Sequence, residues 1–247
     1  MMTTHLKPSI SMQINVLMPI YKTNLEWVQI AIESILYQNH YDFNLVIVDD
    51  NNPQGALKEY LEDLKKKCAY VKLVRTTGNK GIAAALNHGL SACTGDLIVR
   101  MDSDDVAHPD LLSQHDAYFK ANPDHHICGV GISLTNGSET WDKNHPKYMT
   151  RAMAYKFPGH WFVNHPGVAF RRKAIQQLGG YPEVSPDLAE DYALWVQFLL
   201  HGYTIYNNPE ILITYRVHPA ASEFAPDRKS KVWHKFLYNQ RELLYEY

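Results

Sequence analysis

The stretch Gly95-Asp96-Leu97-Ile98-Val99-Arg100-Met101-Asp102-Ser103-Asp104-Asp105 decides how this chain reads. A short, mostly apolar run ends abruptly in three acidic side chains within four positions. Carboxylates that close repel one another, and folding gains little from the cluster unless a cation neutralises it. A hard divalent metal with oxygen ligands meets that need, and Mg²⁺ or Mn²⁺ commonly brings phosphates with it. The segment therefore reads as a strand delivering acids to a metal–phosphate site at its carboxyl end. The simpler alternative is a solvated acidic turn ahead of a helix that starts at Pro109. An Asp-x-Asp tripeptide does not separate the two by itself.

Working back from this run, the same grammar repeats. Ile14 to Met18 is a short apolar run closed by Pro19, and reads as a strand. Asn24 can cap a helix with Leu25, Val28, Ile32, Ile35 and Leu36 on one face. Phe43 to Val48 is a second strand, ending in Asp49-Asp50-Asn51-Asn52-Pro53. Residues 54–66 carry Leu57, Tyr60, Leu61 and Leu64 at helical spacing. Tyr70 to Val74 is a third strand, Gly81 to Ala92 a helix favoured by Ala83, Ala84 and Ala85, and Leu97 to Met101 the fourth strand. Strands alternating with helices over short connections imply a largely parallel sheet covered on both faces. Ligands of such sheets sit beyond the carboxyl ends of the strands. The polar clusters at Pro19–Lys22, Asp49–Asn51 and Asp102–Asp105 each follow a strand directly, so all three converge on one face. That placement favours the metal–phosphate reading over the solvated turn.

Forward of the acidic run the pattern is less regular. The spacing predicts a helix over Pro109–Ala121, a strand over Ile127–Leu134 and a polar loop over Thr135–Tyr148 suited to acceptor contacts. A short strand at Gly167–Phe170, a helix ending at Gly179-Gly180 and a helix over Leu188–Leu200 follow. Strands at Tyr203–Tyr206 and Ile211–Tyr215 come next, then a terminal helix over Arg228–Tyr245.

Composition narrows the class. The chain has 247 residues, 45% apolar and 20% charged, with a formal net charge of −2. That is one large globular domain without the basic footprint of a nucleic-acid binder. Cys68, Cys93 and Cys128 form no CxxC pair and are odd in number, which fits a reducing compartment. Met1 to Ser11 is polar and carries no signal-like apolar run. No stretch approaches the roughly 18 to 20 apolar residues of a membrane span. A cytoplasmic location is expected, at most peripheral to a membrane. His125-His126 lacks ligand partners at metal-binding spacing and reads as surface loop.

Several residues invite specific chemistry. Asp50 can accept hydrogen bonds from a base or ribose, though a turn and cap at Asp-Asn-Asn-Pro would also explain it. Tyr21 can stack on a base or pack in the core. Lys80, just ahead of a helix N-terminus, can add charge to a diphosphate site or stand as a solvated loop lysine. Glu190-Asp191 opens a helix made apolar by Tyr192, Leu194, Trp195, Phe198 and Leu199. Acids there suit the helix dipole, and they also stand where a general base can be aimed. His165 and His218 are further polar groups at strand ends, and imidazole suits Mn²⁺ beside carboxylates, although a lone histidine is usually structural or exposed. Trp141, Trp161 and Phe162 can stack on sugar rings or pack.

Taken in order, these motifs resemble the family 2 inverting glycosyltransferases of the GT-A fold. Val16-Leu17-Met18-Pro19-Ile20-Tyr21 resembles the opening strand. Val48-Asp49-Asp50-Asn51-Asn52 resembles the uridine-contact segment Val-Asp-Asp-Gly-Ser, with Asn51-Asn52 standing where Gly-Ser is commoner. Gly78 to Asn87 resembles the Asn-x-Gly-x-x-x-Ala-x-Asn helix, Asp102 to Asp105 the metal-binding Asp-x-Asp, and Asn164-His165-Pro166-Gly167 the acceptor-side loop. Glu190-Asp191-Tyr192 resembles the catalytic Glu-Asp motif, and Tyr215-Arg216-Val217-His218 the segment whose histidine can ligate the metal.

The resemblance implies a Rossmann-like, mostly parallel α/β sheet flanked by helices in a single domain. Residues 12–105 would form the nucleotide-sugar half, 106–222 the acceptor and catalytic half, and 223–247 a helical extension. It implies a UDP-linked donor and a saccharide or lipid-linked acceptor, as in surface polysaccharide synthesis. Pro19, Tyr21, Asp50, Lys80, Asp102, Ser103 and Glu190 would hold the nucleotide-sugar. Asp104, His218 and Asp102 would hold Mn²⁺ or Mg²⁺, and Asp191 would be the catalytic base. The lack of a membrane span argues against the processive synthases of the family. The terminal helix would pack on the domain, lie on a membrane surface or mediate a homodimer. The rival classes are a nucleotidyltransferase, disfavoured because the Pro19–Asn24 loop lacks glycine, and a non-catalytic nucleotide-sugar-binding protein of the same fold.

Overall fold

The computed structural model describes residues 11–78, 81–157, 160–183, 189–217 and 231–245. The first half alternates strictly: β1 (Ile14–Ile20), α1 (Leu25–Leu36), β2 (Phe43–Asp49), α2 (Ala56–Lys67), β3 (Val71–Arg75), α3 (Ile82–Leu90) and β4 (Leu97–Arg100). The second half runs β5 (Val106–Ala107), α4 (Leu111–Ala121), β6 (Ile127–Thr135), β7 (Thr140–Lys143), β8 (Tyr148–Met149), α5 (Arg151–Lys156), β9 (Ala169–Arg171), α6 (Arg172–Gln177), α7 (Glu190–Leu200), β10 (Ile205–Arg216) and α8 (Lys231–Leu244).

All strands join one sheet, ordered β3-β2-β1-β4-β9-β6-β10-β5, with β7 on β6 and β8 on β10. β1, β2, β3 and β4 are parallel, and β6 and β10 are parallel to each other. β9 runs antiparallel to both β4 and β6, which turns β6 and β10 the same way as the first four. The strand order reverses at β1, which has β2 on one side and β4 on the other. Such a switch point opens a crevice past the carboxyl ends of the two strands. The apolar runs are continuous because both faces are covered. Val16, Met18 and Val99 pack with α1, α2 and α4 on one face, while Leu17, Ile98 and Phe170 pack with α3 and α5 to α8 on the other.

Local chemistry explains most boundaries. Asn24 caps α1 by accepting from the amides of Glu26 and Trp27. Pro19 does not end β1, contrary to the expectation. Leu17 O accepts from Met101 N, so by strand alternation Pro19 faces the β4 side beyond that strand's last residue, where no amide is required. The loop expected over 135–148 contains β7 paired to β6, and its end begins β8. The two strands expected over 203–215 are one strand, β10, whose register shifts between Asn208 and Ile213. Pro209 sits at that irregularity, where a missing amide is tolerated. β5 was not legible in the sequence.

α3 lies close against the sheet because Gly89 has no side chain. A Cβ there would overlap Leu17 and Val48, both fully buried. This close approach seats the last turn of α3 on the middle of β1 and the end of β2. Overpacking costs about 1–3 kcal/mol, whereas alanine's helix preference returns at most about 1 kcal/mol. Gly89→Ala is therefore expected to lower stability by about 1–2 kcal/mol in urea denaturation; an unchanged midpoint would show that α3 does not depend on this contact.

Candidate active site

At the end of β2, Asp49 and Asp50 have different tasks. Asp49 is fully buried and accepts from Arg75 Nε at 2.8 Å and from the amide and side chain of Asn52 at 2.9 and 2.8 Å. Burial pushes its carboxyl up, but the Arg75 and Asn52 hydrogen bonds outweigh that and hold it below the ordinary value. Asn52 also donates to Ile20 O and accepts from Lys22 N, which fastens the end of β1 to the end of β2. Asn51 adopts φ +57°. Asparagine is among the few non-glycine residues that enter this region readily, so Asn51-Asn52 makes the turn that Gly-Ser more commonly makes. Asp50 is freed from structural work. Its partner is Thr76, which donates to Oδ1 at 2.6 Å. Pro19 and Tyr21 lie half-buried at the end of β1. Lys80 lies outside the described residues.

At the end of β4 the acids gather. Asp102, Asp104 and Asp105 offer oxygens within 4.8 Å of one another. Arg216 ties this loop to β10: its amide donates to Asp105 Oδ1 at 2.9 Å, its Nε donates to Asp104 O at 3.0 Å, and its guanidinium lies over Trp27 of α1. Asp105 Oδ2 is buried without a hydrogen-bond partner. Burial, then the charges of Asp102 and Asp104, push its carboxyl well above the ordinary range. An orphaned carboxylate oxygen beside two others is the donor set a hard cation takes, so these residues fit Mn²⁺ or Mg²⁺. Ser103 is buried and shares a hydrogen bond with Thr23 at 2.8 Å. His218 lies outside the described residues.

Behind the acids sits Arg100, which sequence reasoning passed over. It is 2% exposed and pairs with Asp102. Burial works against its charge, yet Asp102 more than offsets that and keeps it protonated. The legible signal was a lone charge in an otherwise apolar strand. Glu190 and Asp191 are both buried at the start of α7. Asp191 Oδ2 accepts from Trp161 Nε1 at 2.9 Å and Oδ1 accepts from Tyr192 N at 2.6 Å. Burial still raises its carboxyl above the ordinary value. Burial and the Asp191 charge push Glu190 up to about 8. His165 hydrogen-bonds the Tyr181 hydroxyl at 3.0 Å and lies 3.9 Å from Glu190. Burial and Arg100 hold its imidazole well below the ordinary value, so it faces Glu190 as a neutral group and forms no ion pair. Phe162 is fully buried and Trp161 is packed between Tyr192 and Trp233. Trp141 is exposed. His125 and His126 stack on Tyr206 and Tyr203.

The raised Glu190 pKa has a signed consequence for stability. The folded chain holds this proton more tightly than the unfolded chain, where glutamate titrates near 4.5. Stability from this group is complete below that value and declines as pH rises toward about 8. Glu190→Gln removes the dependence. The variant is expected to gain stability relative to the parent as pH rises from about 4.5 to about 8 in urea denaturation; a difference between the two that stays constant across that window would show Glu190 to be ionised throughout.

Comparison with known proteins places this geometry. Residues 15–179 match the family described as glycosyl transferase family 2. An uncharacterized glycosyltransferase of Haemophilus influenzae is 31% identical over 211 residues, covering 83% of this chain and 76% of its own. The Escherichia coli UDP-Gal:alpha-D-GlcNAc-diphosphoundecaprenol beta-1,3-galactosyltransferase is 30% identical over 207 residues, covering 82% of this chain and 73% of its own. The crystal structure of S. aureus TarS 1-349 with UDP-GlcNAc superposes with a TM-score of 0.68 at 16% identity. It covers 94% of this chain, which spans 65% of the length of that one, and its likeness concerns the fold alone. The fold is GT-A, and the chain belongs to glycosyl transferase family 2.

Proposed function

We propose that this glycosyltransferase moves a sugar from a UDP-linked donor to a hydroxyl of a saccharide or lipid-linked saccharide, with inversion at the anomeric carbon. The observation that carries the reading is the acidic cluster after β4, with its orphaned Asp105 oxygen at the strand-order switch point. Asp102 and Asp104, with His218 from the segment after β10, are assigned to hold Mn²⁺ or Mg²⁺. A cation held there supplies neutralisation of the charge that develops on the departing diphosphate.

The protein's own groups do the rest. Asp50 accepts from the uracil or ribose, Tyr21 stacks on the base beside Pro19, and Lys80 is assigned to the diphosphate. Ser103 and Asp102 contact the ribose side. Glu190, held protonated, can donate to a sugar hydroxyl. Asp191 takes the proton of the acceptor hydroxyl as that oxygen attacks the anomeric carbon and the bond to the diphosphate breaks. One displacement from the opposite face inverts the configuration, and no protein nucleophile is needed.

The E. coli relative's name specifies a UDP-Gal donor and a diphosphoundecaprenol-linked acceptor, and the S. aureus structure holds UDP-GlcNAc. The relative's name supports a UDP-linked donor and a lipid-linked acceptor here, as in surface polysaccharide synthesis. Among the described residues no helix is long and apolar enough to cross a membrane. α8 leaves Val232, Tyr238 and Leu243 exposed beside Lys231 and Lys235, a face suited to peripheral contact with the inner membrane leaflet or with a second copy of the chain.

Asp191→Asn is expected to abolish transfer while UDP-sugar still raises the melting temperature. Normal turnover in that variant would remove Asp191 from the base role. EDTA is expected to stop turnover and Mn²⁺ or Mg²⁺ to restore it, read as release of UDP across a panel of UDP-sugars. Undiminished release in chelator would refute the metal assignment.

A further inference from the structure

The turn that leads into β9 and the C-terminal helix α8 meet over the start of α7. Trp161 donates its indole N–H to Asp191 Oδ2 at 2.9 Å. On its other side the indole lies nearly parallel to Trp233 of α8, with ring centroids 5.7 Å apart and an interplanar angle of 16°. Trp161 is also tilted against Tyr192 at 5.4 Å. Trp233 stacks on Phe236, and Phe236 returns to Tyr192 at 6.0 Å. The aromatic contacts therefore close a ring of four side chains that includes Trp161.

We infer that Trp161 is a positioning residue for Asp191, and that α8, through Trp233, holds Trp161 in place, making the C-terminal helix part of the catalytic apparatus. This rests on Asp191 being the base. An indole has a single N–H, directed in the plane of its ring, so fixing the plane fixes the hydrogen bond. That bond favours the ionised carboxylate and leaves the remaining lone pairs pointed one way. Among the described residues, the charged and titratable groups facing Asp191 are Glu190 from its own helix, Arg100 from β4 and Tyr181 from the turn after α6. Trp233 carries no charge, so it acts on Asp191 through packing: directly on the Trp161 plane, and by way of Phe236 and Tyr192.

α8 has other anchors, which keeps the test clean. Arg151 of α5 donates to Leu244 O at 3.1 Å and to Tyr245 O at 2.9 Å, and Arg241 lies over Tyr155. Leu244 is buried as well. Trp233→Ala should leave the helix docked and loosen Trp161.

The test has a spectroscopic and a kinetic arm. The five tryptophans should give five indole signals in the ¹⁵N–¹H spectrum of the ligand-free full chain, and the one lost in Trp161→Phe is that of Trp161. That signal is expected to move with pH in the parent and to stop moving in Asp191→Asn. In turnover of UDP-galactose, Trp161→Phe is expected to lower kcat about tenfold, the scale of one hydrogen bond to a charged group. It should also move the acid limb to higher pH and leave the donor KM unchanged. Trp233→Ala should move the limb the same way by less. A pH-invariant Trp161 signal, or a Trp161→Phe profile that overlays the parent's, would overturn the inference. Turnover surviving in Asp191→Asn would instead sink the base assignment, whatever the indole signal does.

Discussion

The buried guanidinium of Arg100 is the constraint that organises the rest of the site. A cation with almost no solvent must be surrounded by anions and acceptors, and the fold brings them from distant parts of the chain. Asp102 pairs with it from the next turn, and Glu190 and Tyr181 face it from the second half. The main chain is gripped as well. Arg100 N donates to Val168 O, and Gly167 N donates to Arg100 O. Gly167 has φ +78°, and a Cβ there would press on Ile213 and Val130 at 2.6 and 2.7 Å, so only glycine allows the segment to lie this close. Buried ion pairs contribute little net stability, yet breaking one costs about 3–5 kcal/mol. The pair therefore acts chiefly as a registration device, setting where β4 ends and where its acids stand.

Around this centre each carboxylate takes its character from its surroundings. Asp49 is held ionised by Arg75 and Asn52 and serves the turn. Glu190 is pushed toward neutrality by burial beside Asp191. Asp191 is raised by the same burial, against the pull of two N–H donors. Separate protonation states for adjacent acids are what acid–base chemistry requires of a site.

The nucleotide-binding half was legible because its signals are local. Apolar runs bounded by polar clusters gave β1 to β4, and the Asn24 cap gave α1. The acidic cluster was visible for the same reason. What escaped depends on distant partners. Thr76 meets Asp50 from 26 residues away, Trp161 meets Asp191 from 30, and Arg216 meets Asp105 from 111. β7 escaped because Thr140 to Lys143 are all exposed, so no alternation marks them. β10 was split because Asn207-Asn208-Pro209 carries turn chemistry. The fold uses that chemistry for an irregularity within one strand, where Asn207 donates to Pro146 O and Phe162 O.

On the proposed function, the acids after β4 would hold a divalent cation that neutralises the donor's diphosphate. Crystals grown with UDP-galactose and MnCl₂ test it directly through the anomalous signal of manganese. The account predicts an anomalous peak within coordination distance of Asp104, with diphosphate density beside it and the uracil against Asp50. Well-defined nucleotide density with no anomalous peak at these acids would contradict it.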